Sequence, residues 1–330
     1  MRAAIYKKYG APEVVQILEV KKPIPKNNEV LIKIYASTIN SADWRLRSLE
    51  VPKGYGVLVR LAMGIFGPRN KILGMELAGV IEEIGKDVRK FKVGDEVFAS
   101  CMFGAHAQYR VLKEDAAIAL KPDNLSFEEA SALSFGGSTA LLFLKTLGDI
   151  KIGEKLLING ASGAVGVAAI QLAKYFGAEV TAVCSGANAE LVKSLGAEKV
   201  IDYQKEDFSK NGQTYDLIMD NVGNASWSRV KNSLNETGRL LLVVAGLLEM
   251  IKAAFVSNKN GKRVLTGTPK DKSKDLQFLA ELVEKGKYKP HIDNIYSLEE
   301  IVAAHSYVDS GRKRGSVVIT MLPSKLTMTI

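Results

Sequence analysis

Three glycines, Gly160, Gly163 and Gly166, recur every third residue inside the stretch KLLINGASGAVGVAAIQLAKYFGAEVTAVCS, which runs from Lys155 to Ser185. A glycine has no Cβ to hold a ligand away, so such a turn lets backbone approach a phosphate closely. The residues on either side supply the rest of the chemistry. Leu156, Leu157 and Ile158 form the short apolar run of a parallel strand buried on both faces. A helix opening near Ala164 would aim its unpaired N–H groups and positive dipole end at an anion. Glu179 to Cys184 reads as a second strand. Strand, glycine turn, helix and strand together predict a unit that holds the pyrophosphate of a dinucleotide.

The tip of the second strand bears on which dinucleotide. An NAD site normally places Asp or Glu there to accept from the ribose 2′-OH. Here the residues are Cys184, Ser185, Gly186, Ala187 and Asn188, with no carboxylate among them to repel a 2′-phosphate. This favours NADPH, although Ser185 and Asn188 would also suit the cap of the helix expected near Ala189. Asp216–Asp220 and Arg239–Val244 are further buried-strand candidates. Ligands of open α/β sheets lie beyond the carboxyl ends of strands. The residues after these two, Asn221, Val222 and Gly223, then Ala245 and Gly246, are therefore candidate cofactor contacts, the last pair at the height of a nicotinamide ring.

The elements that must position these residues fall into two textures. Residues 1 to about 120 read as β-rich, with strands expected at Met1–Tyr6, Val30–Tyr35, Leu77–Ile84, Glu96–Ser100 and Ala107–Val111. The texture changes at Lys121-Pro122-Asp123. Ser126 with Glu129 three residues on is a capping box. Strands and helices then alternate to about Val264, predicting a doubly wound parallel sheet. The tail carries helices at Lys274–Lys285 and Leu298–Ser310 and a strand at Gly315–Met321.

Composition bounds the class. The chain has 330 residues, 47% hydrophobic and 25% charged, which suits two globular domains. The N-terminus lacks the pattern of a signal peptide, and the longest apolar run, Leu240–Leu248, is too short to span a bilayer. A soluble cytoplasmic protein is expected. Cys101 and Cys184 stand far apart, and His106, His291 and His305 follow no ligand spacing, so no metal site is expected. The net charge of +9 fits solvated lysines and a cationic crevice for the dinucleotide. The basic clusters Lys259–Arg263, Lys270–Lys274 and Arg312–Arg314 are short and lack interleaved aromatics, which argues against nucleic acid without excluding it.

With these residues in hand, the chain resembles the medium-chain dehydrogenase/reductase superfamily, in its zinc-free quinone oxidoreductase branch of zeta-crystallin-like and enone-reductase proteins. The resemblance rests on ASTINSADWRLRS at 36–48, GMELAGVIEEIG at 74–85, VGDEVF at 93–98, the NGASGAVG turn, VIDY at 200–203 and GSVVI at 315–319. It implies an α/β protein with a GroES-like β-rich catalytic domain, residues 1–122 completed by 265–330. A Rossmann NADP-binding domain, 123–264, is inserted, with the active site in the cleft. It also implies a homodimer.

Zinc alcohol dehydrogenases of the superfamily place Cys and a Gly-His-Glu motif where this chain has Asn40 and Met75. Neither replacement suits a catalytic zinc. What remains is hydride transfer to a carbon made electrophilic by conjugation, as in quinones and α,β-unsaturated carbonyls. The resemblance assigns Ser162, Gly163, Ala164 and Val165 to the pyrophosphate and Ser185 and Tyr203 to the 2′-phosphate. Relatives have Lys where Asn188 stands, so Lys313 or Arg314 is the candidate for the missing charge. The catalytic candidates are Asn40, as donor to the substrate oxygen, Asp43, and Tyr55 as proton source. Asp43 would equally serve a helix N-cap or pair with Arg45 or Arg47. The stretch from Leu49 to Lys71, with Tyr55 and Phe66, is the expected apolar wall of the substrate pocket. An NADPH-binding protein that holds RNA or serves assembly, with little turnover, and a zinc-free alcohol dehydrogenase are the alternatives.

Overall fold

The structure, a computed structural model, describes residues 1–256, 261–268 and 272–321. By contact the chain forms two compact units: Met1–Val51 with Gly56–Phe135 and Asp271–Ile330, and Pro52–Tyr55 with Gly136–Lys270.

The first unit is built on the strand Glu29–Ile39, whose eleven residues are mostly buried. It pairs antiparallel with Glu76–Ile84, Tyr109–Lys113 and Ser316–Thr320. Ile292–Ser297 runs parallel to the last of these, and Glu96–Ser100 and Ile118–Leu120 extend the other edge to complete a seven-stranded sheet. Ile32, Ile34, Leu77, Ile81, Val97, Ile118, Val317 and Ile319 fill one core. The tail is thus integral to this unit. Its strand puts Val318 opposite Thr38, and its helix Ile301–Asp309 buries Ile301, Ala304 and Val308.

The second unit is a wholly parallel sheet. Its order is Lys199–Asp202, Glu179–Cys184, Lys155–Asn159, Tyr215–Asp220, Leu234–Leu242, Arg263–Thr266. Leu156, Leu157 and Ile158 are fully buried, as their apolar run requires. The helix Ala164–Tyr175 buries eight of its twelve residues. Chain order reverses between the strands Lys155–Asn159 and Tyr215–Asp220, and at that switch point a doubly wound sheet opens a ligand crevice.

Several elements differ from the sequence reading. The strands Val15–Glu19, Lys199–Asp202, Arg263–Thr266 and Ile292–Ser297 carry too few apolar residues to announce themselves; pairing to a neighbour creates them. The Ser126 capping box is present, with Glu129 N–H donating to Ser126 Oγ at 3.2 Å. The change of texture near Pro122 precedes the contact boundary at Phe135, because Ser134 and Phe135 bind into the first unit. The basic clusters at 259–263 and 270–274 lie partly outside the described residues.

Candidate functional site

The glycine turn sits at the switch point of the parallel sheet. Gly160 has φ of +76°, and a Cβ there would lie 2.8 Å from Val222 Cγ2, so the turn and the residues after Asp220 share one tight surface. A Cβ on Gly166 would meet Gly160 O at 2.3 Å and Ala161 O at 2.5 Å. The helix therefore packs directly on the turn. Gly163 is its N-cap and makes no side-chain cap, which leaves the first-turn N–H groups around Ala164 and Val165 free to meet an anion.

Below the turn lies a network that inspection of the sequence missed. Asn159 Nδ2 donates to Asp220 Oδ1 at 2.8 Å and to Asn224 Oδ1 at 2.7 Å. Asp220 also accepts from the N–H groups of Val222, Gly223 and Ala225 at 3.0, 3.1 and 2.8 Å. This carboxylate shapes the loop that presents Asn221, whose amide nitrogen and oxygen are both buried without a partner among the described residues. A buried amide with both ends unmet is costly unless a ligand completes it. The only signal in sequence was a polar residue closing each of two buried strands. Ala245 and Gly246 are half-buried. Gly246 N–H donates to Glu249 Oε2 at 3.0 Å, opening the helix Leu247–Val256.

At the adenosine end, two residues identified separately meet: Asn188 Nδ2 donates to Ser162 Oγ at 3.0 Å. Ser185 O accepts from Asn188 N–H at 2.9 Å, and Tyr203, largely exposed, donates its N–H to Cys184 O. One inference from sequence needs correction. No acid follows Cys184 in the chain, yet Asp202 pairs with Cys184 across the parallel ladder. A Cβ on Gly186 would lie 2.7 Å from Asp202 Oδ2. The sheet thus delivers a carboxylate from the next strand to the tip that seemed to lack one.

The other candidates lie in the first unit, except Tyr55. Asn40 caps the helix Ser41–Ser48: its Oδ1 accepts from Ala42 N–H at 2.9 Å and Asp43 N–H at 3.1 Å. Its Nδ2 is buried with no partner among the described residues. Asp43 closes the capping box, one oxygen accepting from Asn40 N–H at 3.0 Å and the other from Gly74 N–H at 2.9 Å. It is fully buried, and desolvation pushes its carboxyl up, opposed by the field of His106. It does not pair with Arg47, whose buried guanidinium binds Asp309 at 2.6 Å and Gly10 O at 2.7 Å. Beside these, buried Glu76 accepts from Thr38 Oγ1, Ser134 Oγ and Phe135 N–H. Burial raises its carboxyl to about 7.

Tyr55 belongs to the second unit, where its hydroxyl meets Met250 Sδ. Arg314, in the first unit, is held by Asp293, to which its N–H donates at 2.7 Å. Lys313 turns inward onto Gly315 O at 2.9 Å, and desolvation lowers it to about 8. Phe66 is fully exposed.

The residues at the expected metal position do not fit a catalytic zinc. Asn40 Oδ1 is taken by two N–H groups, and Met75 stands where a histidine would be needed. Cys101 donates its N–H to Met75 O, and burial pushes its thiol up to about 12. Among the described residues no three His, Cys, Asp or Glu side chains gather as a metal would require.

Comparison with known proteins agrees with this architecture. Residues 26–123 match the alcohol dehydrogenase GroES-like domain, and residues 195–319 match the zinc-binding dehydrogenase family. The chain is 34% identical to 2-methylene-furan-3-one reductase of Solanum lycopersicum, over 98% of this chain and 80% of that protein. It is 32% identical to the chloroplastic quinone-oxidoreductase homolog of Spinacia oleracea, over 97% and 98%. Among solved structures, the quinone oxidoreductase from Coxiella burnetii superposes with a TM-score of 0.86 at 30% identity, covering 98% of this chain and 99% of that one. A GroES-like sheet completed by the tail, a parallel dinucleotide-binding sheet in the order above and relatives along the whole length identify the chain as a member of the medium-chain dehydrogenase/reductase superfamily, an oxidoreductase of the pyridine nucleotides.

Proposed function

We propose that this protein reduces quinones or α,β-unsaturated carbonyls by direct hydride transfer from NADPH, without a metal. The observation that carries the reading is Asn40. It stands where zinc-dependent relatives have a ligand, spends its oxygen on a helix cap and keeps a buried Nδ2 donor unmet. A preorganised amide donor aimed at a developing oxyanion lowers the barrier by about 3 kcal/mol. Asn40 would polarise the substrate carbonyl in this way, while Asp43 fixes its rotamer through the capping box and acts as a positioning residue.

When bound, the nicotinamide supplies the hydride. The chain's part is to hold it: Gly160, Ser162, Gly163, Ala164 and Val165 at the pyrophosphate, and Ser185, Asn188 and Tyr203 at the adenosine 2′-phosphate, with Arg314 or Lys313 as supporting charge. Asn221, Val222, Ala245 and Gly246 serve the nicotinamide side, where the unmet Asn221 amide fits a polar carboxamide or ribose. Tyr55 or solvent returns the proton. We take the working form to be a cytoplasmic homodimer.

The test is NADPH oxidation by EDTA-treated protein against quinones, alkenals and simple ketones, with NADH in parallel. Metal-independent turnover on quinones or alkenals, faster with NADPH, is the expected result. Turnover on simple ketones alone would point to a zinc-free alcohol dehydrogenase. Tight NADPH binding with no turnover, together with salt-dependent RNA retention, would transfer the excess positive charge to a binding role.

A further inference from the structure

The helix Gly56–Met63 buries none of its eight residues. Val57, Leu58 and Leu61 are 74%, 54% and 51% exposed, and the chain just beyond presents Ile65 and Phe66 at 48% and 101%. Val57, Leu58 and Leu61 share one helical face. Two turns of helix gain little from backbone bonds alone in water, and a contiguous exposed apolar patch marks a surface that something covers.

Charge indicates what covers it. From Val51 to Met75 the sequence holds Lys53, Arg60, Arg69 and Lys71 and no Asp or Glu. Tyr9 ties the N-terminal strand to this segment, its hydroxyl donating to Gly64 O at 2.9 Å with the Arg60 guanidinium 6.0 Å from its ring. Tyr6 N–H donates to Lys71 O at 3.0 Å, so exposed Lys7 and Lys8 border the same patch. Arg60 and Arg69 donate to the carbonyls of Ile65 and Ala62. Among the described residues, none of the ion pairs involves Lys7, Lys8, Arg60, Arg69 or Lys71. A second copy would set these unpaired cations against themselves, and like charges disfavour such an interface. An aliphatic and aromatic tip ringed by unpaired cations matches a helix lying at a lipid headgroup boundary.

We propose that the segment from Gly56 to Lys71 docks on an anionic phospholipid surface. Val57, Leu58, Leu61, Ile65 and Phe66 enter the boundary between headgroups and acyl chains, and Lys7, Lys8, Arg60, Arg69 and Lys71 meet the lipid phosphates. The attachment is peripheral, since no helix among the described residues is long and apolar enough to cross a membrane. It goes beyond the redox reading but shares its ground, since Tyr55, the candidate proton source, directly precedes the segment; flotation and KM are therefore read separately.

The experiment is flotation of the full chain with phosphatidylcholine vesicles, with and without phosphatidylglycerol, at low and high salt. Binding to the anionic vesicles that weakens with salt is expected. The double substitution Leu61→Ser with Phe66→Ser should weaken it about tenfold, and Arg60→Gln with Arg69→Gln should remove the preference for anionic lipid. Thermal melts of both variants check folding, which exposed positions tolerate. Failure of the parent protein to float with anionic vesicles overturns the proposal. So does concentration-dependent self-association that Leu61→Ser with Phe66→Ser abolishes, which would make a second copy the occupant. A raised KM for a water-soluble quinone in that variant, with flotation unchanged, would make the segment a substrate cover instead.

Discussion

Asn40 has two separable duties, and substitution can part them. Its oxygen caps the helix Ser41–Ser48, while its Nδ2 is the unmet donor. Serine is about as good a cap as asparagine but lacks the amide. Asn40→Ser should therefore keep the melting temperature within a few degrees and lower kcat about 100-fold, as loss of an oxyanion donor does; an unchanged kcat would remove Asn40 from the chemistry. Asp202 offers a second test at this scale. Its carboxylate lies over Gly186 and disfavours a nearby phosphate. Asp202→Asn should raise the NADPH over NADH preference in binding titrations several-fold, a modest change because solvent screens the pair. A ratio equal to that of the parent protein would show the carboxylate to be turned from the cofactor.

Among the elements, Glu76 at the start of the strand Glu76–Ile84 gathers Thr38 from the neighbouring strand and Ser134 and Phe135 from the start of the helix Ser134–Leu141. Burial raises its pKa from 4.5 to about 7, so the folded state holds this proton more tightly than the unfolded chain. The associated stability is fully present below pH 4.5 and is lost as pH rises through about 7. Glu76→Gln cannot titrate, and the Thr38 and Ser134 hydroxyls can turn to accept from its amide. Thermal melts should show the parent protein losing melting temperature between pH 4.5 and about 7 while the variant holds its own; parallel curves would contradict the reading. Arg47 and Asp309 join the helix Ser41–Ser48 to the tail helix Ile301–Asp309. Asp309→Ala strands a fully buried guanidinium and should cost about 3 kcal/mol in denaturant melts, whereas a surface pair would cost under about 1 kcal/mol.

At the scale of the whole molecule, cofactor binding is linked to folding. A ligand that binds only the native state at 100 times its Kd adds about 2.7 kcal/mol. If the proposed NADPH preference holds despite Asp202, NADPH should raise the melting temperature more than NADH at equal concentration, and Gly166→Ala, whose new Cβ would meet Gly160 O at 2.3 Å, should abolish the shift for both. A full shift in that variant would mean that the turn does not hold the pyrophosphate.

How much of this was legible beforehand follows from what kind of information each feature needs. The strand, glycine turn and helix of the parallel sheet are local, so the apolar run Leu156–Ile158 and the glycine spacing specify them without reference to the rest of the chain. The capping box at Ser126 is local for the same reason. Short strands such as Lys199–Asp202 carry little apolar signal and exist because a neighbour offers hydrogen bonds. That same pairing sets Asp202 beside Gly186, which no reading along the chain could supply. Likewise the sequence left Asp43 open between a helix cap and a pair with Arg45 or Arg47, and gave no hint that Asn40 caps the helix; both became visible only with their partners. The sequence by itself determined the superfamily and the class of cofactor, because residue type and spacing suffice for each. Only the tertiary structure decided which polar groups are satisfied and which remain open, such as Asn40 Nδ2 and the Asn221 amide. Hydrogen-bond satisfaction depends on groups that meet across strands and turns far apart in the chain.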